Sequence, residues 1–359
     1  MHRFAFMIHP LGTSDLTRKF PVSRFLPPGL VERVTRYLPP LKASHITGVR
    51  SPHAATEGWF VACPLTTRQM LSLPEEFVIK RIIQTGRLAE KLGAEILGLG
   101  AMTSVVGDAG ITVARNLNIA VTTGNSYTVA TAIEATEKAA AMMDIDLKRA
   151  EVAIVGATGS IGAVCAKILA RRCRYLTLIA RNETKLQRLA GEIKDATGLQ
   201  ARITSHSRET LRRADVIVTV TSAVDTIIEP EDLKPGAVVC DVARPRDVSR
   251  RVAEVRDDVL VIDGGVVEVP GEANFNLNFG YPSGLAYACM AETMILALEG
   301  KIENFTLGRE LTVEQIDTIN RLAAKHGFRV AGFRSFELPV PEARVAAIRE
   351  QARLRAALG

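Results

Sequence analysis

The sequence predicts an α/β fold in two domains, the second a Rossmann-like, doubly wound parallel sheet, with C-terminal helices after it. Three observations predict it. Short Val/Ile-rich runs alternate with amphipathic stretches through most of the chain. A glycine-rich turn, GATGSIG, stands at the centre directly between an apolar run and an apolar helix. No run approaches the ~20 apolar residues of a membrane span. Such alternation calls for parallel strands joined by right-handed crossovers.

Taken in order, residues 1–125 read as an N-terminal, substrate-side α/β domain. RFAFMI is a strand, PGLVERVTRYL a helix entered through Pro28, and GWFVAC a strand. PEEFVIKRIIQTGRLAEKLG is a long amphipathic helix with Pro74 near its start and Gly93 at its end. AEILGLG and NIAVTTG finish the domain as buried strands. Over 126–150 the segment SYTVATAIEATEKAAAMMDI is a connecting helix, with Asn125 and Ser126 as candidate N-caps. Over 151–270 the runs EVAIV, YLTLIA, DVIVTV, AVVCDV and VLVID supply the Rossmann sheet. Residues 271–359 hold an irregular stretch, ANFNLNFGYPSG, then the helix LAYACMAETMILALEG up to Gly300, then a short Ala/Arg-rich helix.

The central turn carries Gly156, Gly159 and Gly162 in the spacing GxxGxxG. The first permits the tight turn, the second lets backbone approach a pyrophosphate, and the third lets helix and strand pack closely. With Ala157, Thr158, Ser160 and Ile161 they present the helix start, rich in N–H groups, to phosphate. The next strand ends at Arg181, with Asn182 and Lys185 beside it. A cation, where an acidic group would take the ribose hydroxyls of NAD, matches a 2′-phosphate, so the expected cofactor is NADP(H). Thr221 and Ser222, just past DVIVTV, read either as neighbours of the nicotinamide half or as a chain turn.

Composition narrows the field. Net charge is +6 and the pI about 9.1, but the cations are scattered, which fits a polyanionic cofactor or acidic carrier and gives no support to nucleic acid. The apolar stretch near the N-terminus is too short for a signal peptide. Five cysteines, an odd number without CxxC spacing, imply reduced thiols and a cytoplasmic setting with no membrane anchor. There is no HExxH, GxSxG or GxxxxGK[ST], the six histidines show no metal-ligand spacing, and no metal centre is expected. None of Tyr37, Tyr127, Tyr175, Tyr281 or Tyr287 has a Lys four residues later, which excludes the YxxxK pair of short-chain dehydrogenases.

Cysteine is the remaining source of chemistry. A thiolate that captures an acyl group as a thioester prepares it for reduction to an aldehyde. Cys165 and Cys173 fall in the helix after the glycine turn and Cys240 in a buried strand, so all three read as core; Cys63 is undecided. Cys289 falls on the second turn of its helix, where the helix dipole favours a thiolate modestly, and reads as catalytic nucleophile or as another buried thiol. Glu292, one turn on, either orients that site or lies on the helix surface.

In order, RFAFMIHPLG, LGLGAMTSVVGDAG, TTGNSYTVATA, VAIVGATGSIG, LIARN, VIDGGVVE, AYACMAETMILALEG and NFTLGRELTVEQI resemble the long-chain fatty acyl-carrier-protein reductases, best known from cyanobacterial alkane biosynthesis. The resemblance runs from about Arg3 to Phe328. It implies reduction of acyl-ACP or acyl-CoA to fatty aldehyde with NADPH, through a thioester on the cysteine of AYACMAE, which is Cys289. The implied partners are acyl carrier protein or acyl-CoA and, beyond them, an enzyme that consumes the aldehyde. This chain departs from the pattern at Tyr127, where the cyanobacterial enzymes carry histidine, at Gly107 and Asp108, at FGYPSGL, and in its Arg-rich end. There Arg344, Arg349, Arg353 and Arg355 are a solvated face or a dock for an acidic carrier. Two other readings stay open: a shikimate or quinate dehydrogenase-like oxidoreductase using a Lys/Asp pair and no cysteine, and a catalytically silent NADP-binding regulator.

Overall fold

The computed structural model describes residues 1–12, 27–206, 208–223 and 225–358. The chain forms two compact units, each built from two separate stretches: Met1–Tyr127 with Val267–Arg329, and Thr128–Val266 with Val330–Gly359.

The first unit is organised by strands β1 (Arg3–Ile8), β2 (Leu41–Arg50), β3 (Ala55–Ala62), β4 (Ile96–Leu99) and β5 (Ala120–Thr122). With the strand Gly271–Asn274 they form a six-stranded sheet, ordered 271–274, β2, β3, β1, β4, β5. From β3 to β5 the pairing is parallel, whereas β2 runs antiparallel to β3. In the interior strand β1, Phe4, Ala5, Phe6 and Met7 are all buried, as a parallel strand covered on both faces requires. The helix Glu75–Lys91 carries Glu75 and Glu76 in its first turn and Lys91 in its last, in accord with the helix dipole. Its buried face includes Val78, Ile82 and Ala89, in one hydrophobic cluster with Met7, Val61 and Leu97. The helix Ala288–Glu299 packs against β1, β3 and β4 and is buried along nearly its whole length, so it must be apolar all round. Gly300 ends it in the left-handed conformation at φ 71°.

The second unit contains β6 (Glu151–Val155), β7 (Tyr175–Ile179), β8 (Arg202–Thr204), β9 (Val216–Thr219), β10 (Val238–Asp241) and β11 (Leu260–Asp263). They lie in the order β11-β10-β9-β6-β7-β8, with every pair parallel. The order reverses between β6 and β9, which is the doubly wound Rossmann arrangement, and a ligand crevice belongs at the carboxyl ends of those two strands. The α/β class and the Rossmann sheet are therefore as the sequence predicts.

The grouping of segments differs from the linear reading. The connector is a helix, Asn125–Met142, that belongs to the second unit from Thr128 onward. Residues 271–359 are shared out: those up to Arg329 join the first unit, and those beyond it the second. The cause is packing, since Ala288–Glu299 lies on the sheet of the first unit. By contrast, the terminal helix Glu342–Leu358 sends Arg349 and Arg353 to Asp144, and Arg355 to Asp257 and Asp258, in the second. β2 escapes the sequence reading because LKASHITGVR is mostly half-buried and shows no clean alternation.

Candidate active site

The glycine turn has the geometry its sequence implies. Gly156 leaves β6 at φ +81°, where an added Cβ would also lie 2.8 Å from Val220 O. Gly156 and Ala157 donate backbone N–H to Ile179 O at 2.9 and 3.1 Å, fixing the turn to the neighbouring strand. A Cβ on Gly162 would collide with Gly156 O, so only glycine lets helix and turn close on each other. Gly159 is exposed and N-caps the helix Ser160–Leu169. Thr158, Ser160 and Ile161 are half-buried around it, and Ala157 and Gly162 are buried beneath. First-turn N–H groups have no acceptor within their own helix, so this surface is a cradle for phosphate, and a dinucleotide fits it.

Arg181 follows β7, the strand beside β6; it is exposed, and no hydrogen bond or ion pair engages its side chain among the described residues. Asn182 has a structural task as well: its Oδ1 accepts the Lys185 N–H at 2.9 Å and N-caps the helix Glu183–Thr197. Past β9, Thr221 donates both its N–H, at 2.9 Å, and its hydroxyl to Asp247, so its polar groups hold a turn, while Ser222 is exposed. Asp247 is fully buried and also accepts Thr219 Oγ1 at 2.5 Å. Nearby, burial pushes the Asp241 carboxyl up to about 6, with Arg244 working against it and Asp247 adding to it. The sequence reading passed over these aspartates, although DVARPRDV, with two Asp among cations directly after a strand, is the signal that marks them.

Among the five thiols, Cys63, Cys165, Cys173 and Cys240 are buried and Cys289 is half-buried. Burial pushes Cys63 and Cys173 up to about 11 and Cys240 to about 12, and Cys165, fully buried, higher still. These four are inert core residues, Cys63 included. Cys289 lies one turn earlier than expected: Tyr287 is the N-cap, which puts the thiol second in the helix. Gly124, at φ +75°, backs directly onto it, and a Cβ there would collide with Cα and Cβ of Cys289.

Glu292 is not on a helix surface. It is fully buried, and four donors converge on it. Oε1 accepts the hydroxyls of Thr122 at 2.5 Å and Thr306 at 2.7 Å; Oε2 accepts Ser126 Oγ at 2.6 Å and Tyr127 N at 3.0 Å. Tyr127 is itself buried there. His9 Nε2 accepts the Met102 N–H at 3.1 Å.

The stretch read as irregular is an aromatic run. Rings of Phe60, Phe275, Phe279, Tyr281 and Tyr287 follow one another at centroid spacings of 5.0 to 6.2 Å, ending at the N-cap of the helix that carries Cys289. Residues 274–278 and 280–283 line an open cavity of about 430 Å³. Of the four arginines offered as a carrier dock, Arg349, Arg353 and Arg355 are already paired with aspartates. No group of three or more metal-ligating side chains, and no helix long and apolar enough to cross a membrane, occurs among the described residues.

The family described as shikimate / quinate 5-dehydrogenase matches residues 137–263. The chain is 34% identical over 296 residues to a Serratia protein named aminotransferase PigE, an alignment covering 81% of this chain and 34% of that protein. It therefore spans about a third of that relative's length. It is 28% identical over 306 residues to the long-chain acyl-[acyl-carrier-protein] reductase of Synechococcus elongatus, covering 81% of this chain and 87% of that one. Among solved structures, dipicolinate synthase A chain from Bacillus subtilis aligns with a TM-score of 0.35 and 14% identity, over 73% of this chain and 88% of that one. The family match spans β6 to β11, and with the glycine turn it makes the second unit a nicotinamide-dinucleotide domain of the oxidoreductase type.

Proposed function

We propose that the chain is an NADPH-dependent reductase of long-chain acyl thioesters, acyl-ACP or acyl-CoA, that releases fatty aldehyde through an acyl group held on Cys289. The observation that carries the reading is the setting of Cys289: of five thiols it alone is accessible, and it stands in the first turn of a buried helix. The aromatic run that ends at Tyr287 supplies an apolar wall for an acyl chain. The similarity to the Synechococcus reductase, which covers most of both chains, supports the same substrate class.

Cys289 Sγ attacks the thioester carbonyl carbon; the bond to the carrier sulfur breaks, and the carrier thiol leaves with the proton that Cys289 gives up. Developing charge on the carbonyl oxygen calls for fixed donors at this helix start. The dinucleotide, held by Gly156, Ala157, Thr158, Gly159, Ser160, Ile161 and Gly162, supplies a hydride to that carbonyl when bound. Cys289 then leaves as thiolate, which frees the aldehyde and restores the thiol once it takes up a proton. Arg181 selects the phosphorylated cofactor by pairing with its 2′-phosphate.

Acid quenching with radiolabelled acyl-ACP and acyl-CoA tests the reading. The label is expected on the peptide containing Cys289 and is expected to vanish in Cys289→Ala. Aldehyde formation by Cys289→Ala near the original rate would remove the covalent step. In a parallel assay, NADP reduction by shikimate with no turnover of acyl thioesters would replace the reading altogether.

A further inference from the structure

The nucleophile's helix has one ionisable side chain inside the protein core, and a carboxylate there is tolerated only when its acceptor sites are filled. For Glu292 they are filled by three separate parts of the chain: Thr122 at the end of β5, Ser126 and Tyr127 at the start of the next helix, and Thr306. The hydroxyls are ordered in turn. Thr122 Oγ1 accepts the Thr306 N–H at 3.2 Å and lies 2.8 Å from Thr306 Oγ1, which accepts Thr123 Oγ1 at 3.2 Å, so the hydroxyls around Glu292 are tied to one another as well as to the carboxylate.

The segment gripped at both ends, from Thr122 to Ser126, has Gly124 at its middle, and Gly124 is the residue that backs onto Cys289. Glu292 lies one helical turn beyond Cys289, so a single side chain fixes both the helix that carries the sulfur and the turn pressed against it.

We propose that Glu292 is a positioning residue for Cys289: it holds the 122–126 turn against the nucleophile and thereby sets the reactivity of the thiol. The proposal rests on the reading of Cys289 as the nucleophile, but it is measured on the sulfur itself. Glutamine at 292 keeps the volume and turns an acceptor into a donor. In the Oε2 place the amide N–H faces the Tyr127 N–H, which can only donate, and in the Oε1 place it requires the Thr122 and Thr306 hydroxyls to reverse, so either orientation disturbs the anchor of the turn.

The test is the rate of alkylation of Cys289 by iodoacetamide, followed on its peptide by mass spectrometry between pH 6 and 10. It is read in the full chain and in Glu292→Gln, Ser126→Ala and Thr306→Val. In a Glu292→Gln chain that still binds NADPH, alkylation is expected to change at least tenfold and its pH midpoint to move. With acyl thioester as substrate, kcat is expected to fall with little change in KM. Ser126→Ala and Thr306→Val should move rate and midpoint the same way by about twofold to fivefold. An unchanged rate and midpoint in folded Glu292→Gln would reduce Glu292 to a packing role. If that variant does not fold, unchanged profiles in both single-donor variants would do the same. Loss of the acyl label on Cys289 from the unaltered chain would overturn the proposed reaction and leave the alkylation series to decide the role of Glu292.

Discussion

Two helices of this molecule begin in contrasting surroundings and present the same positive end in opposite ways. Ser160–Leu169 is entered through glycines, so its first turn is bare backbone that an external anion can approach. Ala288–Glu299 is entered through Tyr287 and Ala288 and carries a thiol in second place, so the anion it favours is one the protein makes itself. The first start needs only its own loop and the neighbouring strand. The second is held by a buried carboxylate and by segments more than a hundred residues away in sequence. A helix start thus becomes a binding site by losing side chains, and a reactive site by gaining one side chain under tight support.

The largest effect expected from breaking this contrast is at the thiol. Cys289→Ala should lower aldehyde formation by three orders of magnitude or more, ~4 kcal/mol, while NADPH affinity by fluorescence titration stays within twofold. A parallel loss of cofactor binding would mean that the two starts are not separate devices.

Next comes cofactor choice at the bare start. Arg181→Ala removes an exposed cation, and a charge-assisted contact is worth roughly 1.5–3 kcal/mol. The Michaelis constant for NADPH should therefore rise about tenfold to a hundredfold, and that for NADH should change little. Equal use of the two cofactors by the unaltered chain would exclude the assignment.

The contrast among the cysteines predicts a pH dependence with a definite sign. Cys63 and Cys173 have an ordinary value near 9.0 when unfolded and stand at about 11 in the folded chain, raised first by desolvation. Their contribution to stability is fully present below pH 9 and is lost as pH rises from 9 toward 11. Chemical denaturation midpoints should fall over that window, and Cys63→Ala with Cys173→Ala should flatten the fall. A midpoint constant to pH 11 would contradict the burial of these thiols.

The smallest effects distinguish two glycines of the same unit. Gly162→Ala forces a Cβ into Gly156 O and should cost about 1–3 kcal/mol together with NADPH binding. Gly191→Ala lies on the exposed face of the helix Glu183–Thr197 with no atom within 4 Å of the new Cβ, so it should stabilise by about 0.5–1 kcal/mol. Calorimetric melting of the two variants should move in opposite directions.

How much was legible follows from the same contrast. The glycine turn, β6, its helix and Arg181 lie within one short stretch, and local spacing was enough to place them. Cys289 was legible as a candidate, but its depth in the helix was missed by a turn because the N-cap, Tyr287, has no capping side chain to announce it. Glu292 read equally as a surface group, since only tertiary structure brings Thr122, Ser126 and Thr306 to it. β2 and the strand Gly271–Asn274 were invisible for a related reason: β2 is mostly half-buried, Gly271–Asn274 is mostly exposed at the sheet edge, and neither carries an apolar run.

The interleaving of the two units bears on how the chain is made. While it leaves the ribosome, the sheet of the first unit has β1 to β5 in hand but waits for the helix Ala288–Glu299, which is synthesised only after the whole Rossmann sheet. Until then one apolar face of that sheet stays uncovered, a surface on which nascent chains aggregate or meet chaperones. The second unit, whose sheet strands come from one continuous stretch, can close its sheet first and complete itself later with the terminal helix. The helix that carries Cys289 is thus set in place only after the whole Rossmann sheet has been made, and it is the same helix that closes the core of the first unit.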